Sequence, residues 1–177
     1  MLIKERNLNM AQKEYISWDK FGKMCSLLSD RLKTEPRRID VVFGVPRGGL
    51  LLAVYLSHHL NVPLLQHVSW GIDHIKGYIL VVDDISDTGI TLSNIKSRLD
   101  RAGKKYIITT LHYKPQTIVK PDYYISETDK WIEYPWETKD EIPSEYHQKL
   151  YPEYFDSCGC DPSQEDLWDL EGGKSIE

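Results

Sequence analysis

Apolar positions along this chain fall into helix-spaced stripes and short unbroken runs, and their alternation predicts an α/β architecture. Trp18, Phe21, Met24, Leu27, Leu28 and Leu32 recur at steps of three and four, one face of a helix, with Ser17 or Asp19 available to cap it. Tyr15-Ile16-Ser17 just before reads as a short edge strand. Pro36 breaks the helical pattern, and Ile39 to Phe43 follows as a buried strand. A helix from about Leu50 to Leu60, a turn at Asn61-Val62-Pro63 and a strand from Leu64 to Val68 come next. Tyr78 to Val82 is an apolar run, mostly β-branched or aromatic, which suits a strand covered on both faces of a parallel sheet. Ile90, Ile95 and Leu99 mark another helix, which ends at the natural cap Ala102-Gly103. Tyr106 to Tyr113 is a further apolar strand terminated by Lys114-Pro115, and Tyr123-Tyr124-Ile125 is a candidate last strand.

Two strand ends carry chemistry. The run Tyr78–Val82 stops at Asp83-Asp84, and two adjacent carboxylates at the carboxyl end of a buried strand repel each other and lose hydration unless a cation or ligand hydroxyls meet them. That edge is where open α/β sheets bind ligands. Asp87-Thr88-Gly89-Ile90-Thr91 then enters a helix, so that main-chain N–H groups and two hydroxyls can converge on a phosphate. The competing reading is an ordinary capped strand-to-helix turn. Gly44-Val45-Pro46-Arg47-Gly48-Gly49 repeats the arrangement one strand-helix unit earlier: glycines permit close approach, and Arg47 can fork onto phosphate oxygens. Alone, this second turn is equally well a plain turn with a surface arginine.

Composition narrows the classes. At 177 residues with 41% apolar and 28% charged positions, the chain is long enough to bury a real core as a globular protein. A net charge of −5 argues against non-specific binding of nucleic acid or anionic membrane. No run approaches the ~20 apolar residues of a membrane span, and the start lacks a signal-peptide core. Three cysteines make no disulfide framework, which fits a reducing, cytoplasmic setting, and Cys158-Gly159-Cys160 reads as thiols in a loop rather than a metal site.

VVDDISDTGITL resembles the phosphoribosyl pyrophosphate (PRPP) binding motif of type I phosphoribosyltransferases. Over roughly residues 13 to 138 the chain is similar to bacterial xanthine-guanine phosphoribosyltransferases and their hypoxanthine-using relatives. KEYISWDKF, the Arg-Gly-Gly turn, the PRPP motif, the isolated Lys-Pro and WIEYPWE occur in that family's order. The resemblance implies that fold, a central parallel sheet flanked by helices with a small C-terminal hood. It implies a PRPP site made of Asp83, Asp84, Ser86, Asp87, Thr88, Gly89, Ile90 and Thr91 with Arg47, Gly48 and Gly49. Mg2+ would be held by Asp83 and Asp84, with Asp87 as the base toward purine N7 and Arg47 neutralising the leaving pyrophosphate. Lys114 would bond the 6-oxo group, Trp131 stack on the ring, Ile132 read the 2-position through its main chain, and Glu137 complete the purine site. Relatives are dimers or tetramers, and Tyr55, His58 and His59 are candidates for a subunit contact.

The chain departs from the family in two places. Pro46 stands before the arginine, where proline is not usual, leaving open whether Pro46-Arg47 takes the cis form found in relatives. Nine residues, Ser69 to Gly77, replace the long mobile hood with its Ser-Tyr pair, leaving Trp70, His74 and Lys76 as candidates for a shortened cover or as plain surface residues. On composition alone Trp131-Ile132-Glu133-Tyr134-Pro135-Trp136-Glu137 is as good a structural plug as a base-stacking wall. Residues 1–12 read as a loose arm, 13–138 as the transferase domain, and 139–177 as an aromatic extension that is either a lid or a contact elsewhere. The expected reaction joins PRPP to a guanine, xanthine or hypoxanthine base. The rivals are a PRPP-sensing regulator with little catalysis and transfer to another base.

Overall fold

In the computed structural model, which describes residues 13–66 and 72–137, the periodic run behind Ser17 folds as helix α1, Trp18–Lys33. The Ser17 hydroxyl accepts the Lys20 N–H at 3.2 Å, which settles the cap in its favour over Asp19. Phe21, Met24, Cys25, Leu28 and Leu32 are buried, whereas Trp18 and Leu27, at the margins of the expected stripe, remain exposed.

Strands β2 (Ile39–Gly44), β3 (Leu64–Leu65), β4 (Tyr78–Ser86), β5 (Lys105–Tyr113) and β6 (Ser126–Glu127) form a five-stranded, wholly parallel sheet in the order β3-β2-β4-β5-β6. Helix α2 (Gly49–Leu60) joins β2 to β3, and α3 (Ile90–Arg101) joins β4 to β5. The chain therefore runs outward to one side from β2 and to the other from β4, which places the switch in strand order between these two strands. Met24, Leu28 and Leu32 of α1 and Leu52, Ala53 and Leu56 of α2 share one core cluster with Val42, Leu80, Val82, Ile107 and Leu111. By the two-residue period of a strand, Ile79 and Val81 face the other way, where they are buried along with Leu92, Ile95 and Leu99 of α3. Among the described residues no helix is long and apolar enough to cross a membrane.

Several strand boundaries differ from expectation. β4 does not stop at Val82: β2 pairs with it only as far as Gly44 opposite Val82, but β5 continues to Tyr113 opposite Ser86. The carboxylates thus stand on a half-paired ledge, because main-chain pairing is indifferent to side-chain polarity where one neighbour has left. At the far edge, the last strand is Ser126–Glu127, and Tyr123 makes only an isolated bridge to Thr109. Tyr15 ends a strand, β1 (Lys13–Tyr15), that belongs to a separate two-stranded parallel sheet with β7 (Trp131–Glu133). Of the third strand, only Leu64–Leu65 falls within the described residues that keep strand geometry.

The described part of the shortened hood returns to the wrong edge of the sheet to act as a cover. Ile72–His74 form a single 3-10 turn, Gly77 N–H donates to the Asp40 carboxylate at 2.6 Å, and Lys104 Nζ donates to the carbonyls of Asp73 and Ile75 at 3.2 and 3.4 Å. Asp40, Lys104 and Gly77 all stand at strand starts, and at ~3.3 Å per residue the five steps from Tyr78 to Asp83 separate His74 and Lys76 from the carboxylates by about 17 Å. His74 and Lys76 are therefore not a lid. Trp70, the extension 139–177 and Cys158 and Cys160 lie outside the described residues.

Candidate active site

One glycine turn, Gly44 to Gly49, closes on the ledge of β4 from the β2 side. Val45 N–H donates to the Val82 carbonyl at 2.8 Å, and Gly49 N–H to the Val45 carbonyl at 3.0 Å, which stitches the turn to the strand. A Cβ on Gly48 would overlap the Asp84 carboxylate and force it aside, and one on Gly49 would overlap the Val82 carbonyl and displace the β4 main chain. The Pro46-Arg47 bond is cis, and the Arg47 side chain is exposed beside this junction.

Asp83 and Asp84 receive main-chain donors, Asp84 N–H to Asp83 Oδ1 at 2.9 Å and Ile85 N–H to Asp84 Oδ1 at 2.8 Å, and their carboxyls bond to each other. Burial, then the neighbouring Asp84 charge, holds the Asp83 carboxyl well above its ordinary range. Burial likewise raises Asp84 to about 6, against the opposing pull of its hydrogen bonds. No described cation sets either value. A pair of hard oxygen ligands in this state suits a small divalent cation that takes its remaining ligands from substrate and water. Among the described residues no group of three or more His, Cys, Asp or Glu could hold a metal by protein alone.

Beyond the ledge, Asp87 and Thr88 are exposed and Gly89 turns the chain into α3 with φ of 81°. Gly89 is packed so closely on Thr117 and Val119 that a Cβ would strike both. Ile90 and Thr91 open the helix, whose first N–H groups have no intrahelical acceptor and face any anion seated there. Ser86 is different from its neighbours: 1% exposed, its hydroxyl lies 2.7 Å from Thr117 Oγ1 and donates to the Val119 carbonyl at 2.8 Å, so it braces the loop from below. Ile118 N–H donates to the Thr88 carbonyl at 3.0 Å, and Gln116 Nε2 donates to Asp87 Oδ1 at 3.1 Å.

The same 114–119 segment begins with Lys114, the lysine expected from the sequence to meet the base. Lys114 is only 5% exposed, and its ammonium donates to the main-chain carbonyls of Asp129 (3.2 Å) and Lys130, the two residues before Trp131. Trp131 is 53% exposed and directly follows Lys130, whose carbonyl accepts from that ammonium. The remaining aromatics of the segment are plug rather than wall: Tyr134 is buried, stacked on Trp136 at 4.8 Å, and Trp136 packs edge-on against Phe21 of α1 at 5.1 Å. Composition could not tell the two tryptophans apart; burial does, packing Trp136 against the core and leaving Trp131 exposed. Ile132 is buried in β7 opposite Glu14, and Ile16 N–H donates to the Glu133 carbonyl at 2.9 Å. Glu137, raised by partial burial, accepts the Tyr134 N–H at 3.1 Å, so its carboxylate shapes its own turn.

Gln116, Tyr134 and His112 were not singled out in the sequence. The signal for His112 was a lone imidazole inside an otherwise apolar strand, and for Gln116 its place two residues after the lysine that ends that strand.

The Phosphoribosyl transferase domain profile matches residues 74–142. A xanthine-guanine phosphoribosyltransferase from Chromohalobacter salexigens is 30% identical over 139 residues, covering 69% of this chain and 82% of that protein. The crystal structure of a purine phosphoribosyltransferase from Pyrococcus horikoshii is 35% identical, covers 73% of this chain and 97% of its own, and superposes with a TM-score of 0.64. The Helicobacter pylori xanthine-guanine-hypoxanthine phosphoribosyltransferase, 24% identical with 79% and 99% coverage and a TM-score of 0.64, shares the fold.

Proposed function

The chain belongs to the type I phosphoribosyltransferase family and is a purine phosphoribosyltransferase, and from that premise we propose that its substrate is a 6-oxopurine, joined to PRPP with release of pyrophosphate. One observation carries the choice of base: Lys114, a buried side chain that can only donate hydrogen bonds, is pinned to the main-chain carbonyls of the two residues that lead into the exposed Trp131. A donor pairs with the carbonyl of guanine, xanthine or hypoxanthine and not with the amino group of adenine, and mismatched buried polar groups discriminate strongly.

In this proposal the first turn of α3 and the Thr88 and Thr91 hydroxyls bind the 5′-phosphate, and the Arg47-Gly48-Gly49 turn takes the pyrophosphate, with Arg47 offsetting the charge that builds on it. Asp83 and Asp84 hold the ribose hydroxyls and Mg2+, which, when bound, supplies countercharge to the departing pyrophosphate. Asp87, steadied by Gln116, accepts or shares the N7 proton as the base attacks the electron-poor ribose carbon. Such highly charged substrates belong to the cytoplasm. The outer face of α2, where Leu50, Leu51 and Val54 are exposed and Tyr55 stacks on His59 at 3.7 Å, is the surface we assign to a homo-oligomer.

The test is pyrophosphate release from PRPP and Mg2+ with guanine, xanthine, hypoxanthine and adenine in parallel. The three 6-oxopurines are expected to react and adenine to lag by at least tenfold, and Lys114→Ala is expected to close that gap. Equal use of adenine by the unaltered protein would refute the assignment.

A further inference from the structure

Tyr134 lies in the segment that carries the base platform, yet its hydroxyl is engaged with the other half of the crevice. It donates to the main-chain carbonyl of Asp84 at 2.8 Å. A phenol has one proton to give, so the contact of 2.7 Å between that same oxygen and His112 Nδ1 must have the imidazole as donor. His112 is thereby fixed as the Nδ1-protonated tautomer. Burial lowers its pKa to about 4, Glu14 pulling upward and Lys20 and Lys114 downward, so it stays neutral over the working range.

Every handle on Tyr134 is occupied: ring on Trp136, main-chain N–H on Glu137, hydroxyl between His112 and Asp84. The chain of contacts joins the two substrate halves by the shortest covalent routes available. His112 is two residues from Lys114, Tyr134 three from Trp131, and the accepting carbonyl belongs to one of the paired carboxylates themselves. Misplacing reacting partners by an ångström costs on the order of 10²-fold in rate, so a strut between the platforms has leverage that its distance from the chemistry conceals.

We propose that Tyr134, oriented by His112, is a positioning residue that sets the purine platform of Lys114 and Trp131 in register with the phosphoribosyl-binding carboxylates of β4. This rests on the purine phosphoribosyltransferase reading above. Tyr134→Phe keeps the stacked ring and removes the donor. In calorimetry at a temperature where the variant is fully folded, guanine alone and Mg2+-PRPP alone are expected to bind within threefold of the unaltered protein. Guanosine 5′-monophosphate, which must satisfy both platforms at once, is expected to bind at least tenfold more weakly, and kcat to fall by a similar factor. His112→Asn, which can return an N–H near Nδ1, is expected to retain most of that coupling, and His112→Leu to lose it. Equal effects on all three ligands, or an unchanged nucleotide affinity with a lowered unfolding temperature, would reduce Tyr134 to a structural residue and overturn the proposal. The titrations need no turnover, so failure of the unaltered protein to transfer any purine would count against the functional reading and leave this comparison decisive.

Discussion

Glu35, at the amino edge of the sheet, and Asp84, at its carboxyl edge, are carboxylates withdrawn from water by the same fold and treated in opposite ways. Glu35 accepts the Arg37 main-chain N–H at 2.8 Å, Arg37 Nε and Nη2 at 2.7 Å each, and the Tyr123 hydroxyl at 2.6 Å. Those bonds, Arg37 first, bring its pKa down to about 2. Asp40 nearby is likewise lowered, by the Gly77 N–H foremost and by Arg38. Asp84, with Asp83 beside it, has main-chain donors and no cation among the described residues, and burial dominates in raising it. One edge spends its acidic groups on holding the chain together; the other leaves them unbalanced, at a cost in stability, for something that arrives from outside.

The largest expected effect tests the carboxyl edge. Asp83→Asn with Asp84→Asn should lower kcat/KM for PRPP on the order of 10²-fold or more, since charge placed for the transition state is lost. The same change should leave the unfolding midpoint at pH 7 unchanged or higher, because two desolvated, mutually repelling charges are removed. A fall in both quantities would erase the contrast. At the amino edge, Glu35→Gln should cost about 2 kcal/mol of stability, the scale of hydrogen bonds to a charged group, with KM for PRPP and purine unaltered. Denaturant titration and steady-state kinetics on one preparation check both halves.

A smaller effect lies in pH. Glu35 and Asp40 have depressed values, so their contribution is present above the ordinary carboxylate range near pH 4 and is lost as pH falls through about 2 for Glu35. Asp84 has the opposite sign: the unfolded chain ionises near pH 4 while the folded one keeps its proton to about 6. Stability should therefore fall as pH rises from about 4 to about 6, Asp83 acting in the same direction, and thermal melts of the Asp83→Asn, Asp84→Asn double variant should lack that fall.

Much of the site was legible because its signals are local. The apolar run ending in Asp83-Asp84, the glycines at 48 and 49 and the helix behind Gly89 each state a main-chain requirement within a few residues, and these stretches form the two turns around the ledge. The Ser17 cap belongs to the same kind. What was not legible depends on distant partners. Nothing near Tyr15 reveals that its strand pairs with Trp131–Glu133, nothing in Tyr78–Asp84 tells that β2 leaves before β5 does, and the two tryptophans of WIEYPWE differ only in whether Phe21 reaches them. The positions of His74 and Lys76 required knowing that Asp40 and Lys104 draw that loop down to the strand starts.

The small β1–β7 sheet has a consequence for biosynthesis. Lys13 pairs with Trp131, about 120 residues later in the chain, whereas β2 through β5 close among themselves over a much shorter span. At roughly 5–20 residues per second of translation, β1 waits on the order of ten seconds for its partner to emerge from the ribosome, while the glycine turn between β2 and α2 already has the strand it closes on. Of the described strands, the one that leaves the ribosome first is therefore the last to be tied in, after the ledge of β4 has formed.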